Sequence, residues 1–183
     1  MGGEARAGHL GSGGLLRVSG GEKRQVTMRI AIGSDHAGFS LKTGLVGFIR
    51  GLGHEVTDFG TDSLESCNYC DYALLVARAV VAGEHDLGVL ICGTGIGMSI
   101  SANKVDGAYA ARCQDCYSAR MARAHNGANI LCMGERVIGS GVAEDVVEVF
   151  LKTEPSQEQR HVNRRACVVN AERSRGSHVE PPA

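Results

Sequence analysis

The stretch Leu87-Gly88-Val89-Leu90-Ile91-Cys92-Gly93-Thr94-Gly95-Ile96-Gly97 runs a short apolar segment into a cysteine and then into a loop punctuated by glycines. The apolar part does not alternate with polar residues, so it reads as a strand of a parallel sheet with both faces covered. Cys92 then stands at the carboxyl end of that strand, and open α/β sheets bind ligands in the crevice outside those ends. The glycines let the turn aim backbone N–H groups at an anion, and a helix beginning near Ile96 adds the positive end of its dipole. Such a setting also lowers a thiol pKa from its free value of about 8.5. Two readings of Cys92 stand side by side: a reactive thiolate beside an anion, or the small buried hydrophobe that a free cysteine often is.

Outward from this stretch, strand-like and helix-like segments alternate with short connections, which predicts a parallel sheet with helices on both faces. Strands are expected over 29–33, 55–59, 87–91, 108–112 and 129–133. Helices are expected over 40–51, 72–83, from about 96, and over 117–125 and 141–152, with a sixth, amphipathic and basic, over 157 to about 171. Gly51, Gly53 and Gly83 fall where helix ends favour a left-handed residue. The 183 residues suffice for one domain with tails. The expected division is a leader over 1–27, a domain over 28–172 and a polar tail over 173–183. The leader is glycine-rich, charged and without apolar periodicity, which predicts disorder. Met28 directly precedes the first strand and is a candidate natural start; a transit peptide is disfavoured by Glu4, Glu22 and the glycine excess.

Nineteen basic against 20 acidic residues, a net charge of −1, give no electrostatic footprint for nucleic acid. No stretch approaches the roughly 18 apolar residues of a membrane span. Seven cysteines, an odd number without a secretory signal, predict reduced thiols and a cytoplasmic protein.

The Gly93-x-Gly95-x-Gly97 spacing invites a dinucleotide-binding reading, but that fingerprint needs a glycine at 98, where Met stands, and belongs to the first βα turn. A phospho-acceptor domain with the same alternation would want an aspartate where Cys92 stands. Cys67/Cys70 and Cys113/Cys116 form two Cys-x-x-Cys pairs, 42 residues apart, longer than the usual zinc-ribbon gap of roughly 15–20. Four thiolates from loops remain a possible zinc site beside the alternative of free thiols. Asp35 and His36, after the first strand, share the crevice with Cys92, although an Asp-His pair in a loop is often a local cap. Arg123 to Asn126 end a helix, and Arg136, Arg160, His161, Arg164 and Arg165 form a cationic set that read singly is solvated surface.

Taken together, Gly33-Ser34-Asp35-His36-Ala37-Gly38, the segment from Ile91 to Gly97, Ala102-Asn103-Lys104, His125-Asn126 and Gly134-Glu135-Arg136-Val137-Ile138-Gly139 resemble the type B ribose-5-phosphate isomerases, a family that includes galactose-6-phosphate and allose-6-phosphate isomerases. The resemblance runs from about residue 28 to about 171. It implies a Rossmann-like three-layer αβα sandwich with a five-stranded parallel sheet and an aldose–ketose isomerase needing no cofactor and no metal. It also implies a homodimer or homotetramer with active sites shared between subunits, acting on a phosphorylated pentose without nucleic acid or membrane. Isomerisation moves a proton between C2 and C1 through an enediolate, so one base on one face of the sugar suffices. On this resemblance Cys92 is the base and Thr94 the proton relay, while the N–H groups of Gly93, Gly97 and Asn126 stabilise the oxyanion. His125, helped by Asp35, opens the sugar ring. His36, Arg136, Arg160 and Arg164 cradle the phosphate, where arginine's planar fork suits a dianion. Tyr69 completes the substrate-binding set. The chain departs from the family where Asp-Tyr-Pro becomes Asn68-Tyr69-Cys70, which predicts a looser loop and altered tuning or sugar preference. The alternatives are the same chemistry on a hexose phosphate, or a sugar-phosphate- or zinc-binding module without turnover.

Overall fold

The structure, a computed structural model, describes residues 26–174. The expected leader and tail lie almost wholly outside the described residues. Strands β1 (Arg29–Ser34), β2 (Glu55–Asp58), β3 (Leu87–Cys92), β4 (Ala110–Arg112) and β5 (Ile130–Gly134) form one parallel sheet in the order β2-β1-β3-β5-β4. Helices α1 (Phe39–Gly51), α2 (Tyr69–Val81), α3 (Ile96–Ala102), α4 (Cys116–Ala124), α5 (Ser140–Lys152) and α6 (Gln159–Arg173) connect and flank them.

The pleat sorts the core into two layers. Ile30, Ile32, Val89, Ile91, Leu131 and Met133 face α1, α4 and α5, packing on Leu45, Ile49, Val147 and Phe150. Ala31, Leu90, Cys92, Ile130 and Cys132 face α2 and α3, packing on Val76, Ala77, Val80 and Met98. The second layer is thinner because Gly33 and Gly88 notch the sheet under α2. A Cβ at either would lie 3.0 or 2.9 Å from Val76. The parallel sheet covered on both faces, expected from the alternation, and the three-layer αβα sandwich implied by the resemblance are therefore present, with six helices about five parallel strands.

The chain leaves β1 for the sheet edge at β2 and returns to β3 on the other side of β1. The carboxyl ends of β1 and β3 thus flank the topological switch point, where such folds bind ligands.

Several boundaries differ from the sequence reading. The second helix begins at Tyr69, three residues earlier than expected, with Asn68 as an extended N-cap and Asp71 in the first turn, where a carboxylate favours the helix dipole. Cys70 therefore sits inside that first turn. β4 is shorter than expected, because the Tyr109 N–H is taken by the Asn129 side chain at 2.8 Å. Gly53 and Gly83 have φ of +86° and +74°, whereas Gly51 is an ordinary helical residue. The expected amphipathic face of α6 is absent as a buried stripe, since His161 alone among its residues is buried.

Candidate active site at two edges of the sheet

At the carboxyl edge, β1 ends in Ser34 and the chain turns through Asp35, whose Oδ1 accepts the Ala37 N–H at 2.9 Å and caps one 3-10 turn, His36–Gly38. Asp35 also donates its N–H to the Ile91 carbonyl, drawing the turn against β3. Gly38 is required there: a Cβ would lie 2.6 Å from the Ile91 backbone. Asp35 is only 5% exposed, and burial raises its carboxyl pKa against the opposing pull of the Ala37 N–H, His36 and Arg136. His36 Nδ1 accepts the Cys67 N–H at 3.2 Å, which leaves Nε2 as its other hydrogen-bonding nitrogen.

Cys92 ends β3, buried, with its Sγ accepting the Gly95 N–H at 3.1 Å. Gly95 has φ +77°, and a Cβ there would lie 2.9 Å from the Met133 carbonyl carbon. Below the site on β5, burial, then Cys92 and Cys113, push the Cys132 thiol well above its ordinary range. Thr94 is exposed, its hydroxyl accepting the Ile96 N–H at 3.3 Å. The Glu135 and Arg136 N–H groups bond the carbonyls of Cys92 and Gly93, and the Arg136 side chain runs beside Gly93, 3.4 Å from where its Cβ would be. Tyr69 lies against Gly97, with the ring 2.7 Å from a Cβ placed there. Asp35, His36, Tyr69, Cys92, Gly93, Thr94, Gly97 and Arg136 are thus brought to one crevice.

The other predicted residues stand at the amino edge. In a parallel sheet every βα loop lies at the carboxyl edge and every αβ loop at the amino edge, and His125-Asn126 occupies the αβ loop between α4 and β5. The five residues of β5 separate the edges by about 15 Å. Here the His125 ring stacks on His161, with centroids 4.0 Å apart and planes at 8°. Arg123, itself buried, holds the loop by donating to the carbonyls of Ala128 and Thr153. A cavity of about 500 Å³ is lined by Asn103, Tyr109, His125, Asn126, His161 and Arg164. Arg160 pairs with Glu158 at 2.8 Å, both side chains exposed.

One chain therefore holds two half-sets of the predicted residues and does not bring them together. The cationic set read from the sequence is divided: Arg136 joins the carboxyl edge, and α6 joins the amino edge. His161, read as solvated surface, is 3% exposed with both ring nitrogens lacking a hydrogen-bond partner among the described residues. Burial, then His125, hold it below the ordinary histidine range. Arg112, Gln114 and Glu135 were not singled out for these contacts by the sequence reading. The first two donate to the Thr94 carbonyl, and Glu135 accepts the Leu41 N–H that opens α1. No local pattern announces such contacts, since each spans the fold.

Among the described residues no three His, Cys, Asp or Glu side chains are grouped to hold a metal, so the two Cys-x-x-Cys pairs do not converge. No described helix is long and apolar enough to cross a membrane.

The carboxyl-edge crevice thus holds a thiol at the switch point with an Asp-His turn and Arg136 beside it, and comparison supplies the family. The sequence profile of the Ribose/Galactose Isomerase family matches residues 30–168. Ribose-5-phosphate isomerase B of Escherichia coli is 44% identical over 147 residues, 80% of this chain and 98% of that protein. D-erythrulose-4-phosphate isomerase of Pectobacterium atrosepticum is 43% identical over 128 residues, 69% of this chain and 84% of that one. The solved structure of Clostridium thermocellum ribose-5-phosphate isomerase B superposes with a TM-score of 0.79 at 50% identity, covering 81% of this chain and all of that one. The chain belongs to the ribose/galactose isomerase family, and with it to the intramolecular aldose–ketose isomerases of sugar phosphates.

Proposed function

We propose that the chain interconverts D-ribose 5-phosphate and D-ribulose 5-phosphate at a site completed by a second copy, in a homodimer or homotetramer. The observation that carries this reading is the Cys92 sulfur at the switch point, under a backbone N–H and beside Asp35, His36 and Arg136.

The residues then divide the work. Cys92 as thiolate takes the proton from C2 and returns it to C1, and Thr94 relays the hydroxyl proton between O1 and O2. The N–H groups of Gly93 and Gly97, with Asn126 of a second copy, face the enediolate oxygen; one such donor is worth about 3 kcal/mol. His125 of the second copy, with Asp35, opens the ring. His36 and Arg136 meet the phosphate from the carboxyl edge and Arg160 and Arg164 from the amino edge of the second copy, each planar guanidinium matching two oxygens. A freely diffusing phosphorylated pentose, free thiols throughout and no requirement for a cofactor fit a cytoplasmic enzyme.

Steady-state isomerisation of ribose 5-phosphate, beside allose 6-phosphate and galactose 6-phosphate, tests the reading. Turnover of the pentose is expected, and Cys92→Ala should lower kcat by about a hundredfold or more while circular dichroism stays that of the wild type. Turnover of a hexose alone would transfer the proposal to that sugar and make the Asn68–Cys70 segment the specificity element. Full activity in folded Cys92→Ala would remove the cysteine as base.

A further inference from the structure

The carbonyl of Thr94 and the N–H of Gly95 are the two ends of one planar peptide unit, and a trans peptide points them in opposite directions. Both ends are engaged. The N–H donates to Cys92 Sγ at 3.1 Å, while the carbonyl accepts Arg112 Nε at 2.6 Å and Gln114 Nε2 at 3.3 Å. The unit precedes a glycine at φ +77°, a residue free to adopt mirror-image backbone conformations, so the local chain does not by itself fix which end faces the sulfur. The choice matters chemically. An N–H facing the sulfur favours the thiolate, whereas a carbonyl oxygen in its place would favour the protonated thiol.

Among the described residues only Arg112 and Gln114 hold the Thr94 carbonyl. Both come from the end of β4 and the turn after it, and neither has a part in the chemistry above. The titratable and charged groups near Cys92 are otherwise Asp35 and His36 after β1, Cys132 on β5, Glu135 and Arg136 after it, and Tyr69, Asp71 and Tyr72 at the start of α2. α3 carries none, and the buried Lys42 of α1 is occupied by Asp58 and the Thr61 carbonyl. None of these bonds the Thr94–Gly95 peptide.

Resting on the isomerase reading, we infer that Arg112, seconded by Gln114, is a positioning residue: by gripping the Thr94 carbonyl it keeps the Gly95 N–H, rather than a carbonyl oxygen, on the reacting sulfur of Cys92, the arrangement that favours thiolate over thiol. A guanidinium at the oxygen end also polarises the amide, which makes its N–H the stronger donor. Arg112 is exposed and Gln114 half-buried, so their replacement leaves the core untouched.

The test is a titration of thiolate ultraviolet absorbance on the full-length protein without sugar, each variant read as the difference from the same protein carrying Cys92→Ser. Arg112→Leu should move the midpoint up by about 0.5–1 pH unit, and Gln114→Leu by less in the same direction. In parallel, kcat at neutral pH should fall by about three- to tenfold in Arg112→Leu and recover as pH is raised, with KM for ribose 5-phosphate little changed. An unmoved midpoint in folded Arg112→Leu overturns the inference, as does an unmoved midpoint in Gln114→Leu should the arginine variant not fold. Wild-type protein that turns over no sugar would sink the isomerase reading, while the titration would still decide the clamp.

Discussion

Gly97 and Gly134 sit within a few residues of the proposed base or its partner strand, and a methyl group added at each meets a different kind of neighbour. At Gly97 the new Cβ would fall 2.7 Å from the edge of the Tyr69 ring, a side chain 45% exposed and able to swing away. At Gly134 it would fall 2.6 Å from the Thr94 backbone, which has nowhere to go. Gly97→Ala should therefore fold with stability within about 1 kcal/mol of wild type but raise KM severalfold as the ring leaves the crevice. Gly134→Ala should lose about 1–3 kcal/mol or more in denaturant unfolding. Equal losses of stability in the two variants would contradict this account. Such distinctions were not legible in the sequence, which marks Gly97 as an N–H donor and Gly134 as the start of a motif but names no neighbour for a Cβ at either. The base candidate was legible, because a non-alternating apolar run ending in cysteine and glycine fixes that residue's place at the carboxyl end of a strand.

Among the elements, α6 departs furthest from its sequence reading. Its polar and apolar residues suggest a face, but periodicity cannot say what covers that face, and in one chain almost nothing does. The helix is attached in its first two turns by His161 on His125 and by Arg165 to the Ser156 carbonyl, and at its last by Glu172 to Tyr109 and the Gly107 N–H. Arg164 and Arg160 differ in surroundings: Arg164 lines the amino-edge cavity, while Arg160 is paired with Glu158. Arg164→Ala and Arg160→Ala should each raise KM for the phosphorylated sugar with kcat changed less, and Arg164→Ala should do so more. Unchanged steady-state kinetics in both would remove α6 from the site. The division of the site between two edges, by contrast, was implicit in the order of elements, since an αβ loop and a βα loop cannot share an edge of a parallel sheet. Motifs read in chain order conceal this, because His125 and Cys92 look equally close to strands.

For the whole molecule, two consequences are measurable. Burial holds His54 and His161 below their ordinary range. The unfolded chain takes up these protons near pH 6.5 and the folded one only at lower pH, so their contribution is fully present above about 6.5 and lost as pH falls through it. The melting temperature should drop as pH falls from about 6.5 toward about 5, and a flat profile there would deny that these rings are buried neutral. The second concerns assembly. On the proposed shared site, Cys92→Ala and His125→Ala, each inactive alone, should regain about a quarter of wild-type activity when refolded together at equal amounts, because half of the dimers would be mixed and each would have one intact site. No recovery would place both residues of a working site in one chain.

The 15 Å between the two edges also has a kinetic meaning. On the proposed reading, with base and ring-opening histidine on opposite rims of one sheet, a single chain would be inert, and specific activity should collapse on dilution below the dissociation constant of the assembly. Below that point the rate of an enzyme active only as a dimer should grow as the square of protein concentration.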